Sequence, residues 1–131
     1  MKNVIISDRS LKPKEYFEQL IQAFTDFKKE QIEEGAEMLH WNMERFAEFT
    51  IEQIKTSNID KLKDCFEFQE QRIKYINAEL ENALHVSYCE SLLLAEVRTD
   101  MNNVLKLMGP QLRRVYKEYE VYYENLGKAN K

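Results

Sequence analysis

Glycine, proline and cysteine are all scarce in this sequence. Its 131 residues include three Gly, two Pro and two Cys. Because β-hairpins depend on glycine- and proline-rich turns, this scarcity disfavours a β fold and favours helices. Cys65 and Cys89 stand far apart, without CxxC spacing, so we expect two buried free thiols in a reducing compartment.

Long apolar runs and a surplus of positive charge are missing as well. No run approaches the roughly 20 apolar residues of a membrane span, and the N-terminal run of Val4, Ile5 and Ile6 is too short for a signal peptide. The net charge of −4 disfavours nucleic-acid binding, which needs a basic surface. We therefore expect a cytoplasmic protein that binds neither membranes nor nucleic acids.

Apolar residues at helical spacing run through most of the chain. The pattern predicts an all-α, single-domain bundle over residues 1–131, orthogonal or made of stacked helix pairs, with a lead-in at 1–12 and a frayed tail at 127–131. About six helices are predicted: from Lys14 to about Glu34, Ala36 to Lys55, from Asn58 onward, about 80–96, from Thr99 or Asp100, and from Pro110 to Leu126. Gly127 is expected to stop the last one.

The segment Glu81–Ala95 is the least polar run of its length. On a wheel of 100° per residue, one side holds Leu80, Leu84, Ser87, Ser91 and Leu94, while Tyr88 and Leu92 point elsewhere. A helix that is apolar most of the way round is buried. We expect this segment to be the central helix of the bundle, with any functional surface elsewhere.

Four residues offer the elements of a chemical site. Glu37 and His40 form an ExxH, the spacing found in di-iron bundles, but His85 follows Glu81 at four residues rather than three. Cys89 lies one turn after His85, within an apolar helix that would raise the pKa of the thiol. We therefore predict no enzyme activity and no catalytic, cofactor or metal site. A small-molecule- or metal-binding bundle built on these four residues is the alternative.

An acidic ridge is the best candidate for a functional surface. Seven glutamates and one arginine lie between Glu30 and Glu52, and Trp41 falls inside this acidic arc. The ring could precede the helix, pack on the first helix or be exposed, and the ridge could be a plain solvated face. Because interfaces favour a central aromatic anchor with charges that steer the partner, we assign the partner-binding role to Glu37, Trp41, Glu44 and Glu48.

The last helix carries a stripe of tyrosines, which includes Tyr116, Tyr119, Tyr122 and Tyr123. Tyrosines at this spacing are typical of a core with hydroxyls reaching solvent. Self-association through this helix, giving a homo-oligomeric structural protein, is the other interpretation.

Two segments also resemble a known family. The central helix with Asn82-Ala83 and Glu90-Ser91-Leu92-Leu93, followed by Leu107-Met108-Gly109-Pro110-Gln111-Leu112-Arg113, resembles a small bacterial all-helical family of unknown function. The resemblance covers roughly residues 37–126. Members of that family look similar to immunity proteins of bacterial toxin systems, which bind a toxin and block it. The resemblance implies a non-enzymatic protein-binding module, immunity- or antitoxin-like, whose partner is a protein.

Overall fold

The computed structural model describes residues 9–27, 32–97 and 99–129, and within these ranges the chain forms six helices. They are α1 (Pro13–Ala23), α2 (Leu39–Lys55, after a 3₁₀ turn at Ala36–Met38), α3 (Ile59–Arg72), α4 (Ala78–Ala83, Leu84–Cys89 and Glu90–Leu94 in succession), α5 (Met101–Leu105) and α6 (Pro110–Ala129). Their arrangement confirms the predicted all-α single-domain bundle. None of these helices combines the length and apolarity needed to cross a membrane. Most of the predicted lead-in at 1–12, including Val4, Ile5 and Ile6, lies outside the described residues.

Side-chain caps begin three of the helices. Asn58 accepts a hydrogen bond from the Lys61 amide at 3.3 Å, and Asp100 accepts one from the Asn102 amide at 3.0 Å. Asn77 does the same for α4, through the Leu80 amide at 3.0 Å. Such caps satisfy amides that have no partner within the helix. The predicted start of the third helix at Asn58 is confirmed, and Asp100 rather than Thr99 begins α5.

The first helix is much shorter than predicted. It ends at Ala23, because Phe24 adopts an extended conformation with φ −125° and ψ 98°. A turn follows, closed by a hydrogen bond of 3.0 Å from the Phe27 amide to the Phe24 carbonyl and held by an Asp26–Lys61 ion pair of 2.9 Å. Both phenylalanines are thereby buried. The expectation of a helix reaching Glu34 is wrong because this turn directs Phe24 and Phe27 into the core.

An aromatic cluster forms the centre of this part of the core. The Phe24 and Phe27 rings lie 5.5 and 5.3 Å from the Phe49 ring, and the Phe46 and Phe68 rings lie 5.6 Å apart, mostly edge to face. Each such pair contributes about 0.5–1.5 kcal/mol beyond the area that it buries. The cluster therefore fixes α2 against α3 and the turn after α1.

The central helix α4 contains a π turn over Leu84–Cys89, in which the Glu90 amide bonds the His85 carbonyl five residues back. Such a turn holds about one extra residue, so later side chains are rotated by roughly 100° from their positions in a regular helix. Accordingly Tyr88 and Leu92 are fully buried, whereas Leu94 is 52% exposed. The predicted orientations of these three side chains are wrong for this reason. The helix also ends at Leu94 rather than near residue 96.

The last helix continues through Gly127 to Ala129. The prediction that Gly127 stops it is therefore wrong. A methyl group added at Gly127 would meet no heavy atom within 4 Å. This part of α6 extends into solvent, so no tertiary contact opposes the helix there.

Candidate functional site

Hydroxyl groups connect the π turn of α4 to α2. The Tyr88 and Thr50 hydroxyls lie 2.9 Å apart, and Thr50 donates its own proton to the Phe46 carbonyl at 2.9 Å. The Tyr88 hydroxyl must therefore donate to Thr50. On the same side of α2, His40 Nδ1 lies 2.7 Å from the Ser87 hydroxyl. These two contacts tie the helices together and give His40 a packing role.

Both thiols are buried in this region. Burial raises the pKa of Cys65 and of Cys89 to about 12, so both stay protonated at neutral pH. The protonated thiol is a poor nucleophile. Cys89 therefore lacks the ionisation that a Cys–His pair would need at neutral pH.

The residues of the metal hypothesis do not converge. Glu37 lies exposed in the 3₁₀ turn, while His40 bonds Ser87. Within residues 9–27, 32–97 and 99–129, no three His, Cys, Asp or Glu side chains are grouped closely enough to hold a metal ion. Neither the Glu37–His40 pair nor the His85–Cys89 pair thus belongs to a set of three possible metal ligands among these residues.

The predicted partner-binding residues lie on one side of α2 and in the turn before it. Trp41, Glu44 and Glu48 follow one another at spacings of three and four, which places them on one face of α2, and Glu37 precedes them in the 3₁₀ turn. Trp41 is 45% exposed, Glu37 and Glu48 are exposed, and Glu44 is half-buried. The opposite side of α2 packs into the core. We call these four residues the α2 face.

Arg45 organises the α2 face. Its guanidinium carbon lies 4.2 Å from the centre of the Trp41 ring, and its Nη2 pairs with the Glu48 carboxylate at 2.7 Å. A cation over an indole contributes about 0.5–1 kcal/mol at an exposed site. The ring therefore stacks on a residue of its own helix, and its 45% exposure agrees with the exposed alternative.

A groove of about 560 Å³ borders this face. Phe17 and Ile21 of α1 line it on one side, and Ile32 and Leu39 line it on the other. Its wall includes Gly35, and a Cβ added at Gly35 would lie 2.6 Å from the Glu37 carboxylate. The groove and the α2 face therefore meet at Glu37. The groove was not predicted, because its two sides come from residues that are distant in sequence.

A family model for a domain of unknown function, DUF7674, matches residues 17–124. The chain belongs to this family. Neither a curated protein nor a solved structure matches it. The predicted membership of an uncharacterised family is thus confirmed, whereas the bacterial origin and the likeness to toxin-immunity proteins stay predictions.

The Gly109-Pro110 segment of this DUF7674 chain has a structural role. The Glu70 carboxylate of α3 accepts hydrogen bonds from the Gln111 and Leu112 amides at 3.0 and 2.8 Å, at the start of α6. A Cβ on Gly109 would lie 2.4 Å from that carboxyl group. Arg113 in turn donates to the Leu105 and Met108 carbonyls at 3.2 and 2.8 Å. The motif that carries the sequence resemblance therefore joins α3, α5 and α6.

The tyrosine stripe of the DUF7674 chain divides into two parts. Tyr116 and Tyr119 are buried, and Tyr119 donates a hydrogen bond to the Glu90 carboxylate of α4. Beyond them, Tyr122, Tyr123 and Leu126 are exposed. The first part of α6 is therefore core, as predicted, and the second part presents an apolar surface.

Proposed function

We propose that this DUF7674 protein acts without catalysis, by binding a basic protein through the α2 face. The observation that carries the proposal is the large exposed indole of Trp41, held among carboxylates by Arg45. Tryptophan is among the residues that contribute most to binding at protein interfaces. A ring fixed before binding also loses little conformational entropy on association.

The charges of the α2 face favour a basic partner. Glu37 and Glu48 extend into solvent beside the indole, and Arg45 balances only one of the two. A negative patch raises the rate at which positively charged surfaces dock, and it repels acidic ones. The adjoining groove supplies apolar surface on which a partner side chain can pack.

The resemblance to toxin-immunity proteins supports a finer form of this proposal. An immunity protein inhibits its toxin by occupying a surface that the toxin needs, and it requires no active site of its own. A basic, nucleic-acid-directed toxin in a bacterial cytoplasm would match the charge of the α2 face. The burial of both thiols is consistent with a non-catalytic role.

Affinity capture from the native host, with matched variants, tests the proposal. Trp41→Ala removes the anchor and Glu48→Lys reverses a charge of the face, whereas Tyr75→Ala removes a 53% exposed aromatic ring outside the face. We expect wild type and Tyr75→Ala to capture the same basic protein, and both α2-face variants to lose it. Equal capture by all four proteins, each shown by circular dichroism to be folded, would contradict the proposal.

Self-association is a second candidate function, favoured by the exposed half of α6. Tyr122, Tyr123 and Leu126 continue the stripe that the core buries upstream. Tyr119→Glu is unsuitable as a test because Tyr119 is buried against Glu90. Light scattering of wild type and of Tyr122→Glu/Tyr123→Glu should show a concentration-dependent dimer only for wild type. A monomer at every concentration would exclude this candidate.

A further inference from the structure

A second, smaller cleft of about 230 Å³ lies where the start of the described chain, α4 and α6 meet. It is remote in sequence from the α2 face, and the inference drawn from it is independent of the proposed function. Its polar lining consists mainly of ionisable side chains: Arg9, Lys74, Glu81, His85, Arg114 and Glu118.

Positive charge exceeds negative charge in this cleft. Arg9 pairs with Glu81 at 3.0 Å, and Arg114 pairs with Glu118 at 3.3 Å. These two ion pairs leave the ammonium group of Lys74 unbalanced within the lining. In a chain of net charge −4, the cleft is thus a local site of attraction for anions.

His85 adds a ring nitrogen without a partner. Its Nε2 is buried and makes no hydrogen bond to any described residue. A buried polar atom left unpaired costs about 1–3 kcal/mol, so a turn of the imidazole that brings Nε2 to an acceptor oxygen in the cleft would be favoured. His85 also belongs to the π turn of α4, and such turns occur frequently at functional sites.

We infer that this cleft binds a phosphate group, free or carried by a small molecule. The Lys74 ammonium and the Arg114 guanidinium supply charge, and the His85 imidazole supplies a further donor. The hydrogen bonds from Arg114 to Glu118 and to Gln111 are long, 3.3 Å each, so the guanidinium can turn toward a stronger acceptor. Arginine in particular matches phosphate oxygens with two parallel N–H groups. The volume corresponds to about eight water molecules, which suffices for a phosphate with part of its hydration shell.

The two histidines provide a direct test by NMR. His85 lines the cleft, whereas His40, bonded to Ser87, serves as an internal control in the same molecule. Imidazole signals of the full-length protein are followed at pH 8 and constant ionic strength while inorganic phosphate is added, with His85→Gln assigning the responding signal. We expect a saturable shift at His85, with a dissociation constant in the millimolar range or below, and no shift at His40.

Matched variants tie the response to the cleft. Lys74→Gln and Arg114→Gln should each weaken phosphate binding roughly tenfold, the loss of one charge-assisted contact. Lys63→Gln, an exposed position of α3 outside the lining, should leave it unchanged. Circular dichroism confirms that each variant is folded.

The source of the phosphate group is decided by a parallel titration with phosphoserine. Tighter binding of phosphoserine than of inorganic phosphate indicates a phosphorylated small molecule, and the reverse order indicates the free ion. Three outcomes would overturn the inference: no shift at His85 up to 50 mM phosphate, equal linear shifts at both histidines, or unchanged binding in Lys74→Gln and Arg114→Gln.

Discussion

Replacing Glu70 by alanine should destabilise the fold by about 2 kcal/mol. The carboxylate accepts two amide hydrogen bonds at the first turn of α6, from Gln111 and Leu112. Loss of an N-terminal cap costs about 0.5–2 kcal/mol, and the upper part of this range applies because the contact is partly buried and charged. For a domain of this length, the midpoint of thermal unfolding should fall by about 8 °C.

A matched control separates this cap from a general effect of charge. Glu67 lies on the same helix, is exposed, and among the described residues accepts only a surface hydrogen bond from Gln71, at 3.1 Å. Glu67→Ala should therefore change the free energy of unfolding by less than about 0.5 kcal/mol. Urea unfolding of both variants, followed by circular dichroism, provides the comparison.

A double-mutant cycle of Gly109 and Glu70 tests whether Glu70 caps α6. The three atoms nearest to a Cβ on Gly109 all belong to the Glu70 side chain, so Gly109→Ala must displace the cap and should cost about as much as Glu70→Ala. In the Glu70→Ala background, the same substitution should cost nearly nothing, giving a coupling energy of about 1.5–2 kcal/mol. Equal costs of Gly109→Ala in both backgrounds would refute the assignment of Glu70 as the cap.

Three further predictions concern stability. Gly127→Ala should stabilise the protein by up to about 1 kcal/mol in thermal unfolding, because the residue lies in a solvent-exposed stretch of helix; a loss of stability would show that the helix does not continue there. Thr50→Val should cost more than Tyr88→Phe in urea unfolding, by roughly 1 kcal/mol, because only the valine leaves a buried tyrosine hydroxyl unpaired; the reverse order would contradict the assigned donor. Stability should fall above pH 9, because Cys65 and Cys89, with pKa values raised to about 12 from 9.0, keep in the folded state a proton that the unfolded chain releases. Each thiol contributes at most about 1.4 kcal/mol per pH unit to the fall of the unfolding free energy with pH. Cys89→Ala should therefore remove about half of the slope that the two thiols produce together, and an unchanged slope would contradict this.

Features governed by neighbouring residues were predictable from the sequence. The caps at Asn58 and Asp100 follow from side chains that reach amides two or three residues away. The buried first half of α6 follows from the spacing of its apolar residues. Both depend on local geometry alone.

Features governed by contacts between residues distant in sequence could not be predicted from the sequence. The end of α1 depends on Phe24 and Phe27 packing with rings of α2 and α3, and this competes with a good helical pattern. The π turn changes the orientation of side chains in α4, so a helical wheel of 100° per residue predicts those orientations wrongly. The bond from Glu70 to the start of α6 joins residues more than 40 positions apart, so the sequence near Pro110 could not reveal it.

Only part of the candidate surface was predictable, because helical spacing is local whereas the exposure of the indole and the groove depend on tertiary contacts. Helical spacing places Trp41, Glu44 and Glu48 on one side of α2, and Glu37 lies in the turn before it. Whether the indole is exposed depends on where Arg45 lies, since its stacking holds the ring on its own helix. The groove beside Glu37 depends on contacts between α1 and residues distant from it in sequence, so helical spacing alone could not predict it.

Fluorescence of Trp41 tests the central claim most directly, because this residue is the single tryptophan of the chain. With the captured partner added, in excess and with its own emission subtracted, we expect a shift of the Trp41 emission to shorter wavelength and protection from quenching by acrylamide. Trp41→Ala should weaken the partner's affinity at least tenfold, as expected for an interface anchor. A partner that binds while the emission, the quenching and the affinity of Trp41→Ala all stay unchanged would contradict binding through the α2 face.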